Sequence, residues 1–420
     1  MTTTTVLDEI IAKGVAAVAN GLSDTDAMAM TEHYGARNYK PLPVNLVRGH
    51  GCRVWDGAGK EYIDCIGAYS AVAHGHLGSE IVQAIADQLK RIAVPSRATY
   101  TPEVALLMKG LAEYSGLDMV CPMNTGAEAV ETCIKLARKW AYTVKGVPSD
   151  KAEIIVGDGN FHGRTTTIVG FSTEAGYKEG FGPFTPGFKV VPFGDLAAIE
   201  AAITPNTAAV LLEPIQAEGG VIIPSDGFMA GLRQLCDQRN LLLIWDEVQT
   251  GFCRTGKRFA WQWEDAKPDL MSVGKPLGGG VLPVSAAIGT RNVVEVFVPG
   301  DHGSTFGGNP LGAAVALTAM AVMEKDGFSE RAHRMGTRLA EGLTSLATDR
   351  IKEIRWRGLL FGIEVSDGLD TKALSAAFLE NAILTKETRQ RTFRLTPPLV
   401  IDEPTVDEVV ERVGRALAAV

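Results

Sequence analysis

The sequence predicts an α/β protein built around a parallel sheet that helices cover on both faces. Between about residues 123 and 289, segments with helical spacing of apolar residues alternate with short apolar runs. These runs are continuously apolar, so both faces of the strands are expected to be buried. After about residue 307 the pattern changes to amphipathic helices and shorter strands, which predicts a smaller α+β domain.

The strands and helices of the predicted sheet follow one another regularly. The predicted strands share a continuous apolar composition and are residues 152–158, 207–215, 241–248, 268–274 and 283–289. The predicted helices share apolar residues at helical spacing and are residues 126–144, 195–203 and 228–240. This alternation is typical of parallel strands that are joined by helical crossovers.

The chain is expected to divide into a large and a small domain. Residues 51–310 are predicted to form the large domain, with a hairpin and a Gly-rich turn within residues 51–65. Residues 311–420 are predicted to form the small α+β domain, and residues 1–50 to pack with it. The length of 420 residues agrees with roughly two or three domain-sized units.

Charge and composition limit the classes of partner. The 41 basic and 49 acidic residues give a formal charge of −8, which argues against nucleic acid or an anionic membrane as the main partner. No apolar run approaches the roughly 18 residues of a membrane span. The first residues, MTTTTVLDEIIAKG, lack a basic region and carry Asp8 and Glu9, which transit peptides avoid. We therefore expect neither membrane nor targeting segment.

Cysteine and histidine usage predicts a reducing compartment and no metal. The six cysteines are scattered without a C-x-x-C pair and are too few for a disulfide scaffold, so a cytoplasmic location is expected. His74 and His76 are the only close histidine pair, and they flank a glycine. A structural role is expected for both, and no metal site is predicted.

Lys275, in the stretch SVGKPLGGG, is the most informative single residue. A Walker A loop is excluded because Asp269 stands at the position of its first glycine and Pro276 follows the lysine. A surface lysine at a strand end is the ordinary alternative. Against it, an apolar run precedes Lys275, and the carboxyl edge of a buried parallel sheet is where ligands bind. Desolvation there lowers the pKa of the amine and makes it nucleophilic, as a Schiff base with pyridoxal phosphate requires.

Three other signals supply the remaining parts of a pyridoxal phosphate site. Asp246 ends an apolar strand, where a carboxylate is costly unless it meets a cation such as a pyridinium. Thr125 and Gly126 precede a long helix whose first N–H groups would bind an anion. Phe161 offers a ring for stacking. Each signal is weak alone, since an Asp at a strand end is often a helix cap, but their order along one α/β chain is much more specific.

Several segments resemble the class III aminotransferases of the fold-type I pyridoxal phosphate enzymes. They include PMNTGAEAVET, GNFHGRT, DEVQTGFCRTG, GKPLGGGVLPVSA and HGSTFGGNPLG, and the resemblance extends from about residue 34 to the C-terminus. It implies the fold-type I architecture, in which a large cofactor-binding domain has a mostly parallel seven-stranded sheet between helices. It also implies a smaller α+β domain built from the N- and C-terminal segments.

The resemblance assigns roles to cofactor-binding residues. Lys275 would hold pyridoxal 5'-phosphate covalently and then carry the proton between substrate and cofactor carbons, and Asp246 would pair with the pyridine nitrogen. Gln249 would bind the ring hydroxyl, and Phe161 would stack on the ring. His162 is also expected to be a cofactor-binding residue. The phosphate would be bound at one helix start and by the neighbouring subunit, through Thr125, Gly126 and Ala127, and through Ser304 and Thr305. A homodimer with shared sites is therefore expected.

A second set of residues would choose the substrate. Arg164 would bind the carboxylate that lies far from the reacting amine, and Tyr39 would help to hold the same end. Tyr69 stands at the aromatic position that separates ornithine-specific from 4-aminobutyrate-specific members. Arg394 would bind the α-carboxylate of glutamate or 2-oxoglutarate, and Glu218 would neutralise it while ornithine is bound. Taken singly, each of these residues has an ordinary structural alternative.

The implied reaction is a ping-pong transfer of the δ-amine of L-ornithine to 2-oxoglutarate, which yields glutamate 5-semialdehyde and glutamate. The small-molecule partners are thus an amino acid and a 2-oxo acid, in arginine and ornithine catabolism or proline synthesis. Alternatives are the same fold acting on acetylornithine, 4-aminobutyrate or lysine, a racemase or aminomutase, and a ligand-binding protein without catalysis. Two departures concern substrate preference: His162 stands where animal members carry a tryptophan, and the loop at 385–393 has extra arginines.

Overall fold

The computed structural model describes residues 5–346, 348–389 and 391–420. These residues form fifteen strands in one seven-stranded and two four-stranded sheets, which confirms the predicted α/β class. The strands are β1 Leu46–His50, β2 Arg53–Asp56, β3 Glu61–Asp64, β4 Met119–Met123, β5 Glu153–Gly157, β6 Phe188–Val191, β7 Thr207–Leu212, β8 Leu242–Asp246, β9 Leu270–Val273, β10 Ser285–Gly289, β11 Ile351–Arg357, β12 Leu360–Val365, β13 Ile383–Leu384, β14 Lys386–Glu387 and β15 Thr392–Leu395.

Helical segments separate most of these strands. They are α1 Val6–Lys13, α2 Val15–Asn20, α3 Asp24–Tyr34, α4 Gly67–Ser70, α5 Ser79–Gln88, α6 Pro102–Ser115, α7 Gly126–Trp140, α8 Thr166–Gly170, α9 Ala175–Lys178, α10 Leu196–Ala202, α11 Phe228–Arg239, α12 Arg291–Val294, α13 Pro310–Lys325, α14 Phe328–Ser345, α15 Thr371–Glu380 and α16 Glu403–Ala418. A π-helix, Ala141–Lys145, extends α7, so the predicted helix at 126–144 is present with a changed last turn. Short 3₁₀ turns form at Ala260–Trp263 and Lys275–Gly278.

The seven-stranded sheet is mostly parallel, as expected. Its strand order is β4-β10-β9-β8-β7-β5-β6, and β10 alone runs antiparallel to its two neighbours. The reversal has a local cause, because the connection from β9 to β10 holds one 3₁₀ turn and is too short for the crossover that a parallel pair needs. The other six strands therefore end at one edge of the sheet, where β10 begins.

Side chains of the sheet point alternately into two apolar cores, as predicted for strands that are buried on both faces. On one face, Val210 and Leu243 belong to the same cluster as Leu232 of α11. On the other face, Leu211 and Ile244 belong to the same cluster as the apolar residues of α7. Burying one such aliphatic side chain contributes about 1.5–3 kcal/mol, so the two cores hold the strand ends firmly in place.

Segments from both ends of the chain build the smaller sheets. β1, β2 and β3 form an antiparallel meander, and β3 pairs in parallel with β13 through Ile63 and Ile383. The other small sheet has the order β11-β12-β15-β14 and packs against α14. The hairpin predicted within residues 51–65 is present as β2 and β3, in the sheet that β13 completes. The domain boundaries at residues 50 and 310 stay a prediction.

The short segment α4 has a left-handed backbone. Gly67, Ala68, Tyr69 and Ser70 have φ angles of 52°, 45°, 58° and 77°. Such angles cost residues with a Cβ roughly 1–2 kcal/mol each, and this kind of strain is concentrated at functional sites. A Cβ at Gly67 would lie 2.3 Å from the carbonyl oxygen of Thr396, so glycine is required at the start of this turn.

The histidine pair and the cysteines have structural surroundings. His74 Nε2 lies 3.0 Å from the carbonyl oxygen of Ala319, and His76 Nε2 lies 2.8 Å from Asp64 Oδ2. The six cysteines are free thiols. Among the described helices, none combines the length and apolar composition that a membrane crossing requires.

Candidate active site

Ten of the fifteen predicted site residues come together at the carboxyl edge of the seven-stranded sheet. Each stands on the segment that follows one strand, because parallel strands end at the same edge. The segments are Thr125, Gly126 and Ala127 after β4, Phe161, His162 and Arg164 after β5, Glu218 after β7, Asp246 and Gln249 at and after β8, and Lys275 after β9. A cavity of about 180 Å³ lies among most of these segments and is lined by Lys275 and Asp246.

Lys275 begins the 3₁₀ turn between β9 and β10 and has a left-handed φ of 41°. Burial lowers the pKa of its amine to about 8, while the charge of Glu218 acts to raise it and that of Arg394 to lower it. At pH 7 roughly one amine in ten is then neutral, against roughly one in 3,000 for an unperturbed lysine. The side chain therefore meets the requirement for a nucleophilic amine.

The glycines after Lys275 shape the turn. Gly279 and Gly280 have φ angles of 61° and 76°, and a Cβ at Gly279 would lie 2.8 Å from Ile81 Cγ2. They allow the chain to reverse between two antiparallel strands at close approach to α5. Their role is conformational, in agreement with the exclusion of a Walker A loop.

Asp246 is held in a hydrogen-bonded network below the cavity. Its Oδ2 lies 2.7 Å from His162 Nδ1, and its Oδ1 accepts hydrogen bonds from Ser272 Oγ at 2.9 Å and from the Val248 amide at 3.1 Å. Burial lowers the pKa of His162, but the hydrogen bond and charge of Asp246 outweigh burial and the net shift is upward. The network therefore fixes the carboxylate of Asp246 where it lines the cavity.

Glu213 is a buried carboxyl group of this cavity that the sequence reasoning missed. It follows β7, accepts a hydrogen bond from the Phe161 amide at 3.1 Å, and lines the cavity with Asp246. Burial raises the pKa of Glu213 to about 7, with the charge of His162 lowering it and that of Asp246 raising it. The signal was present, because Glu213 ends an apolar strand in the same way as Asp246 does.

The start of α7 forms an anion cradle. Thr125 caps the helix through Oγ1, which accepts from the Glu128 amide at 3.3 Å, and its own amide donates to Glu128 Oε2 at 2.7 Å. Within the described residues, the amides of Gly126 and Ala127 donate no hydrogen bond. A Cβ at Gly126 would lie 2.8 Å from Val248 Cγ1, so only glycine leaves the cradle open. These free N–H groups suit a phosphate.

Gln249 and Phe161 complete the lining on the cofactor side. Gln249 is buried, and its Oε1 makes no hydrogen bond with any described residue. Phe161 is half-buried and lines both this cavity and the larger one described next. An amine, a hydrogen-bonded carboxylate, free helix N–H groups and an aromatic face thus fit pyridoxal phosphate.

Ser304 and Thr305 lie outside this cavity in the single chain. Ser304 Oγ accepts hydrogen bonds from Asn124 Nδ2 at 2.9 Å and from the Gly307 amide at 3.0 Å. Thr305 is exposed. The contact of these two residues with a phosphate in a neighbouring subunit stays a prediction.

The predicted substrate residues line a larger cavity of about 510 Å³ that opens from Lys275 to the surface. Arg394 Nη1 and Glu218 Oε1 form an ion pair of 2.5 Å, and the Arg394 guanidinium lies 5.3 Å from the centre of the Tyr69 ring. Burial alone would raise the pKa of Glu218, but the charges of Arg394 and Lys275 outweigh it and the net shift is downward. The buried pair is therefore ionised.

Arg164 and Tyr39 lie at the outer part of the same cavity. The Arg164 guanidinium packs 3.6 Å from the centre of the Tyr177 ring and 5.6 Å from that of Phe161. Tyr39 is 69% exposed. Tyr177, on the short helix α9, has no sequence signal of its own, yet its ring packs against the Arg164 guanidinium.

Comparisons with known proteins agree with this geometry. The family described as "Aminotransferase class-III" matches residues 34–417. A relative from Brevibacillus brevis, "Ornithine aminotransferase", is 48% identical over 387 residues, which is 92% of this chain and 96% of the relative. A relative of the same name from Bacillus subtilis is 45% identical, with the same coverage.

Solved structures show the same similarity. An ornithine aminotransferase from Toxoplasma gondii, whose description reports pyridoxal phosphate at partial occupancy in the active site, has a TM-score of 0.95 and 41% identity. The alignment covers 97% of this chain and 98% of that one. An acetylornithine aminotransferase from Elizabethkingia anophelis has a TM-score of 0.86 and 41% identity, and the alignment covers 94% of this chain and 99% of that one.

Proposed function

This chain belongs to the class III aminotransferase family, and from that premise we propose that it transfers the δ-amine of L-ornithine to 2-oxoglutarate. The protein is a transaminase and its cofactor is pyridoxal 5'-phosphate. The ion pair between Glu218 and Arg394, in one cavity with Lys275 and Arg164, is the observation that carries the substrate assignment.

The ion pair matters because ornithine has two amines and must present the distal one. Its α-carboxylate then lies far from the reacting carbon, where Arg164 is available. A free Arg394 close to Lys275 would instead attract that carboxylate and favour the wrong amine. Glu218 masks Arg394, and the α-carboxylate of a dicarboxylic 2-oxo acid can replace Glu218 in a bidentate contact.

The residues of the smaller cavity would hold the cofactor. The amides of Gly126 and Ala127 would bind the phosphate, Phe161 would stack on the ring, and Asp246 would keep a proton on the pyridine nitrogen. When bound, pyridoxal phosphate supplies an electron-accepting ring that stabilises negative charge on the substrate carbon. His162 Nδ1 lies 2.7 Å from Asp246 Oδ2 and would keep that carboxylate oriented.

Lys275 would move the proton in each half of the cycle. Its Nζ, with a pKa lowered to about 8 by burial, would take the proton from the δ-carbon of the substrate and deliver it to the reacting carbon of the cofactor. Glu218 and Arg394 remain paired during the ornithine half. In the second half, Arg394 binds the 2-oxo acid, so one cavity serves two substrates of different charge.

Acetylornithine is the second candidate substrate. It presents the same distal amine with the same carboxylate, and the similarity to an acetylornithine aminotransferase is 41% in identity. Tyr69 and Tyr39 line the same cavity, and the family resemblance assigns such tyrosines to ornithine-specific members, which argues against 4-aminobutyrate as the main substrate. The intact Glu218–Arg394 pair argues against a racemase or aminomutase, because such enzymes need no dicarboxylic co-substrate.

We further propose a homodimer in which Ser304 and Thr305 of one subunit reach the phosphate site of the other. Exposed Thr305 and the exposed apolar side chain of the adjacent Phe306 support an additional protein contact at this surface. The cytoplasmic location, and the place in arginine and ornithine catabolism or proline synthesis, stay predictions from the sequence.

A two-step absorbance experiment tests the substrate assignment. The purified protein with pyridoxal phosphate is mixed with ornithine, N-acetylornithine, 4-aminobutyrate or L-lysine, and loss of the absorbance of the bound cofactor is followed. Addition of 2-oxoglutarate should restore that absorbance after ornithine. Faster conversion by N-acetylornithine or 4-aminobutyrate than by ornithine would show that the substrate assignment is wrong.

A further inference from the structure

Arg389 lies at the mouth of the larger cavity and has no role in the function proposed above. It follows β14 and lines the same cavity as Arg164 and Lys275. This segment belongs to the small sheet, whereas Arg164 follows β5 of the large sheet. The mouth is therefore assembled from two parts of the chain that the fold brings face to face.

Two guanidinium groups share one aromatic ring at this mouth. The guanidinium carbon of Arg164 lies 3.6 Å from the centre of the Tyr177 ring, and that of Arg389 lies 5.6 Å from the same point. The two carbons are therefore no more than about 9 Å apart, a span that one carboxylate can bridge with hydrogen bonds of about 2.8 Å to each side. Packing on a ring face fixes a guanidinium and leaves its in-plane N–H donors available.

The donors of both arginines are in fact available. Arg164 makes no hydrogen bond or ion pair with any residue that the structure describes. Arg389 Nε lies 3.3 Å from Glu174 Oε2, an ion pair that lacks hydrogen-bond geometry, and Arg389 Nη2 is buried without a hydrogen bond among the described residues. Buried N–H donors of this kind usually have an acceptor, so we expect a ligand to accept this hydrogen bond.

The net charge of the cavity lining also favours an anionic ligand. Six basic side chains line it, against the two carboxylates of Glu218 and Glu387. Glu218 is already paired with Arg394. An anionic group at the mouth would therefore meet an excess of positive charge, with Arg164 and Arg389 on the outer side.

We propose that Arg389 acts together with Arg164 to bind the carboxylate of the amino acid substrate at the end away from Lys275. This specificity-determining role rests on the proposed function, since the substrate is an amino acid whose distal amine reacts. Arg389 selects amines that carry a carboxylate over simple diamines. In the free protein Glu174 forms a weak ion pair with Arg389, and the substrate carboxylate takes the place of Glu174 when it binds.

Steady-state kinetics with two amines tests the role of Arg389. L-Ornithine and 1,4-diaminobutane differ by the carboxylate, so the second serves as the matched substrate without the group that Arg389 binds. Arg389→Gln should raise the KM for ornithine about tenfold, as expected for one partly exposed charge-assisted contact, with little change in kcat. The KM for 1,4-diaminobutane should stay unchanged, and Arg389→Lys should give an intermediate KM for ornithine.

Glu174→Gln separates ligand binding from a purely structural ion pair. If Arg389 binds substrate, removal of the competing carboxylate should lower the KM for ornithine about twofold, opposite in sign to Arg389→Gln. If the Arg389–Glu174 pair only holds the loop, both substitutions break the same contact and should raise KM together, for both amines. That result, or an unchanged KM for ornithine in Arg389→Gln, overturns the proposal.

The control and the choice of substrate keep the two proposals distinct. Arg239→Gln removes the same charge from an exposed arginine–glutamate pair outside the cavity, with Glu200 as its partner, and should leave every KM unchanged. If the unsubstituted protein converts N-acetylornithine in place of ornithine, the proposed substrate is wrong. Arg389 is then judged with N-acetylornithine, which carries the same carboxylate, against N-acetyl-1,4-diaminobutane, which lacks it.

Discussion

The two cavities of this protein are built in different ways. The cofactor cavity lies at the ends of neighbouring strands and is closed by buried groups such as Asp246, His162 and Glu213. The substrate cavity extends from Lys275 to the surface and is lined by the exposed Tyr39 and by the C-terminal loop after β14. We expect the first cavity to carry the chemistry and the second, which is more open, to choose what reacts. Substitutions in the two cavities should therefore change different quantities.

The largest effect is expected at Lys275, which lines both cavities. Lys275→Ala should lower the rate of cofactor conversion by ornithine at least about a thousandfold, because proton transfer by a positioned base alone contributes about 10²–10⁴-fold. Stopped-flow absorbance of the bound cofactor measures this rate. Lys386→Ala, which removes another lysine from the substrate cavity, is the matched control and should stay within about threefold of the parent. Turnover of Lys275→Ala near the parent rate would contradict the assignment.

A smaller effect is expected at Asp246, in the cofactor cavity alone. Asp246→Asn should lower kcat about a hundredfold for every amine, since it removes a preorganised charge without altering the substrate cavity. Ser272→Ala removes one hydrogen bond to Asp246 but keeps the charge, and should cost about tenfold or less. An equal loss in the two variants would show that the charge of Asp246 is not the important property.

In the substrate cavity, substitution should change selectivity more than rate. Glu218→Gln removes the charge that masks Arg394, so the ratio of kcat/KM for ornithine to that for glutamate should fall about tenfold. Glu387→Gln, an exposed carboxylate of the same cavity, is the control and should leave this ratio unchanged. If Glu218→Gln lowers kcat/KM for both amino acids equally, the pair supports structure and not substrate choice.

The pH dependence of cofactor attachment gives the smallest expected effect. The pKa of Lys275 is lowered to about 8, so its neutral fraction should rise only about tenfold between pH 7 and 9, against roughly a hundredfold for an unperturbed lysine. Absorbance of the cofactor added to cofactor-free protein measures the attachment rate, and Nα-acetyl-lysine amide in solution is the reference. The groups that face Lys275 are Glu218, Arg394, Asp246 and Glu213.

The same shift has a consequence for stability. Because the unfolded chain binds the lysine proton more tightly than the folded chain, stability from this group should rise between about pH 8 and pH 10.5. Glu213, with a pKa raised to about 7, acts in the opposite direction at lower pH: the folded chain holds its proton more tightly, so its contribution to stability falls as pH rises from about 4.5 to 7. Glu213→Gln separates the two contributions. In the attachment experiment described above, a rate of cofactor attachment that rises a hundredfold from pH 7 to 9 would contradict the lowered pKa of Lys275.

Much of the cofactor cavity could be predicted because each of its parts has a local signal. A continuous apolar run followed by a polar residue marks a strand end, and this pattern identified Asp246 and Lys275. The same pattern at Glu213 was overlooked, although its neighbours LLEPI carry it. The positions of Tyr69, Glu218 and Arg394 came from resemblance alone, since Glu218 and Arg394 lie 176 residues apart and no periodicity connects them.

The remaining features have no local signal at all. Tyr177 lies on a helix of four residues, and Arg389 lies in a loop where arginines look like ordinary surface residues. The left-handed turn at Tyr69 is imposed by its surroundings, such as the approach of Thr396 to Gly67. The predicted role of Ser304 and Thr305 would require a second subunit. The domain boundaries also stay a prediction, since contacts over the whole chain decide them.

By itself the sequence determined the α/β class, the order of strands and helices, and the amine and carboxylate at the strand ends, because burial and hydrogen bonding impose short periodic patterns. Tertiary structure alone decided the direction of β10, the protonation states of Lys275 and Glu213, and the meeting of Arg164 and Arg389 on one tyrosine ring. These depend on desolvation and on distances between segments far apart in the chain. Neither quantity is encoded in the neighbours of a single residue.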